Sequence, residues 1–161
     1  MSWSDRRSLL AFLALAGCGF TPAFGTDGPA EVLLGAVRTA EPTDKNSFDF
    51  VQRIDERLGR PTAPAFDLAY VITTAPIGVG ITPEGATTRY NLTGKIVWSL
   101  VRRADGLRVT GGTVESFTSY SATGSTVAGL AAEEDAALRL MRLLADDIVA
   151  RMTASAAIWA R

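Results

Sequence analysis

The stretch from Arg89 to Arg103 alternates apolar and polar residues for most of its length. Tyr90, Leu92, Ile96, Trp98 and Leu100 fall on one side, and Arg89, Asn91, Thr93, Lys95 and Ser99 on the other. A period of two places these sets on opposite faces of a β-strand, one face dry and one wet. Such a strand needs strand neighbours in its plane and an apolar layer on one face only. The neighbours are readable on both sides. Ala104-Asp105-Gly106 is a hairpin signal, and the chain returns from Leu107 to about Ser121. Gly111-Gly112 predicts a bulge or sharp bend within that return. Upstream, Phe66, Leu68, Tyr70 and Ile72 alternate from Pro64, and a second limb continues through Ile77, Val79 and Ile81 to a turn at Thr82-Pro83-Glu84-Gly85. Pro76 has no N–H for a ladder, so a break, a bulge or a sheet edge is expected there. The apolar run Val32 to Val37, bounded by Pro29 and Pro42, reads as a short buried or edge strand.

Two helices supply the apolar layer. The first is capped by Asp44 or Ser47 and runs to about Leu58, with Phe48, Val51, Ile54 and Leu58 as its stripe. Asp49 and Arg53 are placed on its wet side, and Gly59 and Pro61 stop it. The second begins after Ser125 or Thr126. Its apolar face is formed by Val127, Leu130, Ala131, Leu138, Met141, Leu144, Ala145, Ile148 and Met152. Glu133, Glu134 and Asp135 lie towards its positive end, Arg139, Arg142 and Arg151 towards its negative end. Asp135 with Arg139 and Asp147 with Arg151 are spaced for ion pairs. The element order is β-α-β-β-β-α. The economical fold is α+β, with both helices on one face of a four-stranded, mostly antiparallel sheet.

The amino terminus is of a different kind. Arg6-Arg7 precedes the apolar run Leu9 to Leu15, and Ala16-Gly17-Cys18 follows, the pattern of a secretory signal peptide. The run is too short to span a bilayer, which needs about 20 apolar residues. Leu15-Ala16-Gly17-Cys18 resembles the lipobox of bacterial lipoproteins, in which cleavage leaves the cysteine as an acylated first residue. The division is then a signal peptide over 1–17, a lipidated flexible tether over 18–29 and one domain over 30–161. The cysteine would carry an N-acyl group and an S-diacylglycerol. Two or three chains anchor a protein firmly, at about 0.8 kcal/mol per buried methylene. Gly19, not an aspartate, follows the cysteine, which by the same resemblance favours the outer membrane.

Composition narrows the chemistry. The chain has one cysteine and no histidine, so no disulfide closes within it and the commonest general base and metal ligand are missing. A formal charge of −1 is not the basic footprint of a nucleic-acid protein. Glu133, Glu134 and Asp135 splay around a helix, as do Asp146 and Asp147, and no carboxylate pair sits in a loop. No catalytic residue, metal site or cofactor is assigned. Trp98 reads as core. Trp159, near the carboxyl end, is left between solvent and a partner.

The pieces together resemble the LptE family of lipopolysaccharide-assembly lipoproteins. The resemblance is carried by Cys18-Gly19-Phe20-Thr21-Pro22, by Arg89-Tyr90-Asn91-Leu92-Thr93-Gly94-Lys95, and by Ser116-Phe117-Thr118-Ser119-Tyr120. It continues through Ser125-Thr126-Val127-Ala128, Ala132-Glu133-Glu134-Asp135-Ala136 and Leu144-Ala145-Asp146-Asp147-Ile148. It implies two helices on a four-stranded sheet and a role that is not enzymatic. The protein would plug the LptD β-barrel in a one-to-one complex, assist its assembly, and bind lipopolysaccharide on its way to the cell surface. It would be lipid-anchored on the periplasmic side of the outer membrane. The alternative is an accessory lipoprotein of a periplasmic phospholipid-transport system. Lipopolysaccharide carries phosphates, so the binding candidates are cations. Arg102, Arg103 and Arg108 cluster at the predicted hairpin tip, with Lys95 and Arg89 on the polar face of the central strand. The bland reading of the tip is a charged edge that resists strand pairing.

Overall fold

The computed structural model describes residues 22–26, 28–81, 83, 85, 87–122 and 125–160. The segment expected to be a signal peptide, with Cys18, Gly19 and Phe20, lies outside the described residues. A 3₁₀ turn at Glu31–Leu33 leads into β1 (Val37–Thr39), followed by α1 (Lys45–Leu58), β2 (Phe66–Ile81), β3 (Thr87–Arg102), β4 (Arg108–Ser121) and α2 (Thr126–Trp159). The sheet order is β1-β2-β3-β4. β1 runs parallel to β2, and the other two pairings are antiparallel. This is the expected α+β class and element order. The apolar run at residues 32–37 differs in detail: Val32 and Leu33 end a 3₁₀ turn that buries Leu33, residues 34–36 form a further turn, and only Val37 enters the sheet.

β3 is the spine. Its dry face is Leu92, Gly94, Ile96, Trp98 and Leu100, all buried. Leu68 and Phe66 flank it from β2 and Val114 from β4, and both helices lie over this face. α2 presses Leu140, Met141, Leu144, Ile148, Val149 and Met152 into the layer, each worth about 1.5–3 kcal/mol of burial. The approach is tight at Gly94. A Cβ there would stand 2.9 Å from both Leu140 Cδ2 and Leu144 Cδ1.

α1 is fixed at its start by a reciprocal cap. The Ser47 N–H donates to Asp44 Oδ1 at 2.8 Å, and the Asp44 N–H donates to Ser47 Oγ at 2.9 Å. Its buried stripe is Phe50, Ile54 and Leu58, with Phe50 against the Tyr70 ring at 4.8 Å. Phe48, expected inside, is 58% exposed. Phe48 and Phe50 are about 200° apart around a helix, so only one can face the sheet. The polar assignments shift with them: Asp49 is buried and pairs with Lys45, not Arg53. Arg53 reaches α2, where Nε and Nη2 grip the two oxygens of Asp146 at 3.1 and 2.9 Å.

Three further expectations are corrected. Val127 and Leu130 are exposed, because α2 buries no side chain before Ala136. Gly111 and Gly112 pair in register with Ser99 and Trp98; the irregularity lies between Leu100 and Val101, opposite Val109. The third concerns Trp159. It packs edge-on against Phe66 at 5.3 Å and donates from Nε1 to Ser155 Oγ, serving its own core. Pro76 takes the edge option. β1 covers β2 only over Phe66–Leu68, so Pro76 lies on an outer edge that needs no N–H, and the register shifts come at Gly78 and Gly80. From Pro22 onward the expected tether is a set of turns. The Gly28 N–H donates to the Gly25 carbonyl at 2.8 Å, the Ala30 N–H donates to the Ala23 carbonyl at 2.9 Å, and Ala23 packs on the core.

Gly94→Val is expected to destabilise the domain by about 1–3 kcal/mol through overpacking against α2. The measurement is the urea midpoint, and an unchanged midpoint would show that α2 does not lie on that backbone.

Candidate functional site: the open sheet face

Because both helices cover one face, the other is left bare. The register aligns Val71 with Val97 and Thr113, Thr73 with Lys95 and Glu115, and Ala75 with Thr93 and Phe117. The surface is mixed. Val71 is 67% exposed, Phe117 60%, and Val97 and Ile77 each 50%. Threonines and Ser99 stand between them. Two shallow hollows mark it. One of about 380 Å³ includes Thr73, Thr93, Lys95, Glu115 and Phe117; the other, about 250 Å³, lies by Val71, Val97, Ser99 and Arg108.

The five expected phosphate-binding cations do not form one cluster. Arg102 points to the helix side. It donates from Nη2 to the Trp159 carbonyl at 2.9 Å and pairs through Nη1 with Asp105 at 3.1 Å. It therefore closes the carboxyl end of α2, where a cation complements the dipole. Arg103 turns towards β2, 3.7 Å from Asp67, which Arg38 also binds at 2.8 Å. The hairpin expected at Ala104-Asp105-Gly106 joins β3 to β4 through residues 103–107. The Arg102 N–H donates to the Leu107 carbonyl at 2.8 Å, and Gly106 adopts φ 70°. The Leu107 N–H and Arg102 together hold the Asp105 carboxyl below its usual pKa.

Arg108, Lys95 and Arg89 share the open face. Arg108 lies across Gly111: a Cβ on that glycine would strike the guanidinium and stand 2.7 Å from the Trp98 carbonyl. Gly111 is thus space for an arginine, a role that the Gly111-Gly112 signal did not separate from a bulge. Arg108 makes no ion pair among the described residues, whereas Lys95 pairs with Glu115 at 3.0 Å. At the far end of the sheet, the Tyr90 and Tyr120 rings stack with centroids 5.4 Å apart. Burial, and then the Glu133 charge, push the Tyr120 hydroxyl up from its ordinary value. Among the described residues no three metal-binding side chains cluster, and no helix is long and apolar enough to cross a membrane.

The fold and this surface define a class: a two-layer α+β domain with one uncovered sheet face of mixed polarity. The particular family follows from the sequence. A model described as LptE, lipopolysaccharide-assembly, matches residues 35–152, and the chain belongs to that family. This is a family of accessory lipoproteins in lipopolysaccharide transport and outer-membrane assembly. Solved structures agree in fold. A Caulobacter crescentus protein described as a lipoprotein superposes with a TM-score of 0.65 at 20% identity, covering 78% of this chain and 93% of its own. The rare lipoprotein B of Shewanella oneidensis gives 0.58 at 13% identity, over 74% of this chain and 93% of its own. Lipoprotein B of Nitrosomonas europaea gives 0.55 at 12% identity, over 74% and 82%. No curated protein sequence matches.

Arg102→Ala is expected to cost about 1 kcal/mol of stability, since it strips a partner from a helix-end carbonyl. Arg108→Ala should leave the melting temperature within error. Equal losses in the two variants would contradict the division of the cluster.

Proposed function

We propose that this chain is an outer-membrane lipoprotein, acylated on Cys18, that plugs an LptD-type β-barrel from the periplasmic side. In a one-to-one complex it assists assembly of the barrel and binds lipopolysaccharide during delivery to the surface. The observation that carries the reading is the family match across the folded domain, residues 35–152. The open sheet face supports it physically. A barrel lumen is polar, and Thr73, Thr93, Ser99 and Thr113 offer hydroxyls between modest apolar contacts at Val71, Val97 and Phe117. Arg89, Lys95 and Arg108, on that face, are the side chains proposed to meet lipopolysaccharide phosphates, with charge-assisted hydrogen bonds of about 1.5–3 kcal/mol each. Arg102 and Arg103 have the structural partners described above. The role needs no cofactor and no catalytic group.

Detergent-extracted protein should bring down an LptD-type barrel in equal amount. Recovery alone, or with an inner-membrane complex, would overturn the reading. Combined charge reversal of Arg89, Lys95 and Arg108 should weaken binding to purified lipopolysaccharide by roughly tenfold or more. Unchanged affinity would remove this face as the lipopolysaccharide contact.

A further inference from the structure

The sheet ends in two strand edges, and the chain treats them differently. On β2 the outer edge is covered by β1 over Phe66–Leu68, then interrupted by Pro76 and by register shifts at Gly78 and Gly80. These are ordinary devices against edge pairing. β4 has none of them between Thr113 and Phe117.

The direction of its backbone groups follows from one bond. The Ala122 N–H donates to the Thr88 carbonyl at 3.0 Å, while Ser121 stands opposite Arg89. In an antiparallel ladder this makes Ser121 and Arg89 a non-hydrogen-bonded pair. Register is unbroken back to Thr113. Tyr120, Thr118, Ser116 and Val114 therefore aim N–H and C=O at β3, and Ser119, Phe117, Glu115 and Thr113 aim theirs outward. Arg139 corroborates the alternation, because its Nη2 reaches over from α2 to donate to the outward Ser119 carbonyl at 3.5 Å. Below that point no such cap exists among the described residues. Thr113, Glu115 and Phe117 are exposed residues presenting three N–H and three C=O groups in a row.

We propose that the outer edge of β4, from Thr113 to Phe117, accepts an extended strand of a partner polypeptide as a fifth strand of the sheet. Main-chain hydrogen bonds supply affinity in this mode and the alternating side chains supply selection. A second copy of this chain is a poor occupant. The twofold pairing that uses the whole row is centred on Glu115 and sets two carboxylates opposite each other. The fitting strand carries a polar or basic residue facing Glu115 and an apolar one facing Phe117. Resting on the function proposed above, the strand belongs to the barrel chain, in a segment outside its closed wall, since a closed barrel has no edge to offer.

The test is amide hydrogen exchange on the detergent-purified complex with the LptD-type barrel, compared with the free chain. Exchange at Thr113, Glu115 and Phe117 should slow at least tenfold. A complex in which these amides keep their free rates overturns the edge proposal and leaves the functional reading standing. Failure of any such complex to form overturns the reading, and this proposal with it. A variant gives a second readout. Glu115→Pro deletes an outward N–H without touching the β3 ladder, so it should fold, yet recover the barrel roughly tenfold less well than Glu115→Gln. Equal recovery of the barrel by both variants would also overturn the proposal.

Discussion

The contact on which the rest of the domain depends is the seating of α2 against the middle of β3. Gly94 has no side chain, so Leu140 and Leu144 lie directly on the strand backbone. That approach sets the height of α2 above the sheet and brings Met141, Ile148 and Met152 into the same layer. It also places Asp146 where α1 can hold it through Arg53, with Arg57 3.5 Å away. Thr118 adds a buried hydrogen bond, donating to the Ala136 carbonyl at 2.8 Å. Shape and charge both draw the two helices to one side of the sheet. The bare side follows from that choice.

A sheet covered on one face and uncovered on the other is the usual antiparallel arrangement, but the uncovered face is normally polar. Here it keeps Val71, Val97, Ile77 and Phe117 well exposed among hydroxyls and three cations. That mixture suits a surface that is wet in the free chain and covered in a complex. On the function proposed above, the counterpart of such a surface is a barrel lumen. The turns from Pro22 to Pro29 bear on the geometry as well. They dock that stretch on the domain, leaving fewer residues between the body and Cys18 than a free tether would.

β3 was legible in advance because its alternation leaves one solution, and Leu92, Ile96, Trp98 and Leu100 on the dry face followed from it; Gly94 between them carries no apolar side chain to mark it. α1 was legible in extent but not in rotation. Apolar residues at 48, 50, 51, 54 and 58 satisfy two faces of a helix, and the choice falls to Tyr70, a long-range partner that meets Phe50. The amino-terminal turns of α2 misled for a similar reason, since Val127 and Leu130 continue the periodicity beyond the end of the layer they would pack on. The candidate cations show the limit most clearly. Arg102, Arg103 and Arg108 are close in sequence, but their partners are the Trp159 carbonyl, Asp67 and the space above Gly111. Sequence proximity could not distribute them between two faces and a loop.

The central claim is that this chain works through its open sheet face. Hydroxyl-radical footprinting of the co-purified complex against the free chain tests it most directly. The account predicts strong protection of Phe117, Val97 and Val71, with little change at Phe48 and Leu143 on the helical side. Protection confined to the helices, with Phe117 and Val97 labelled as in the free chain, would contradict it.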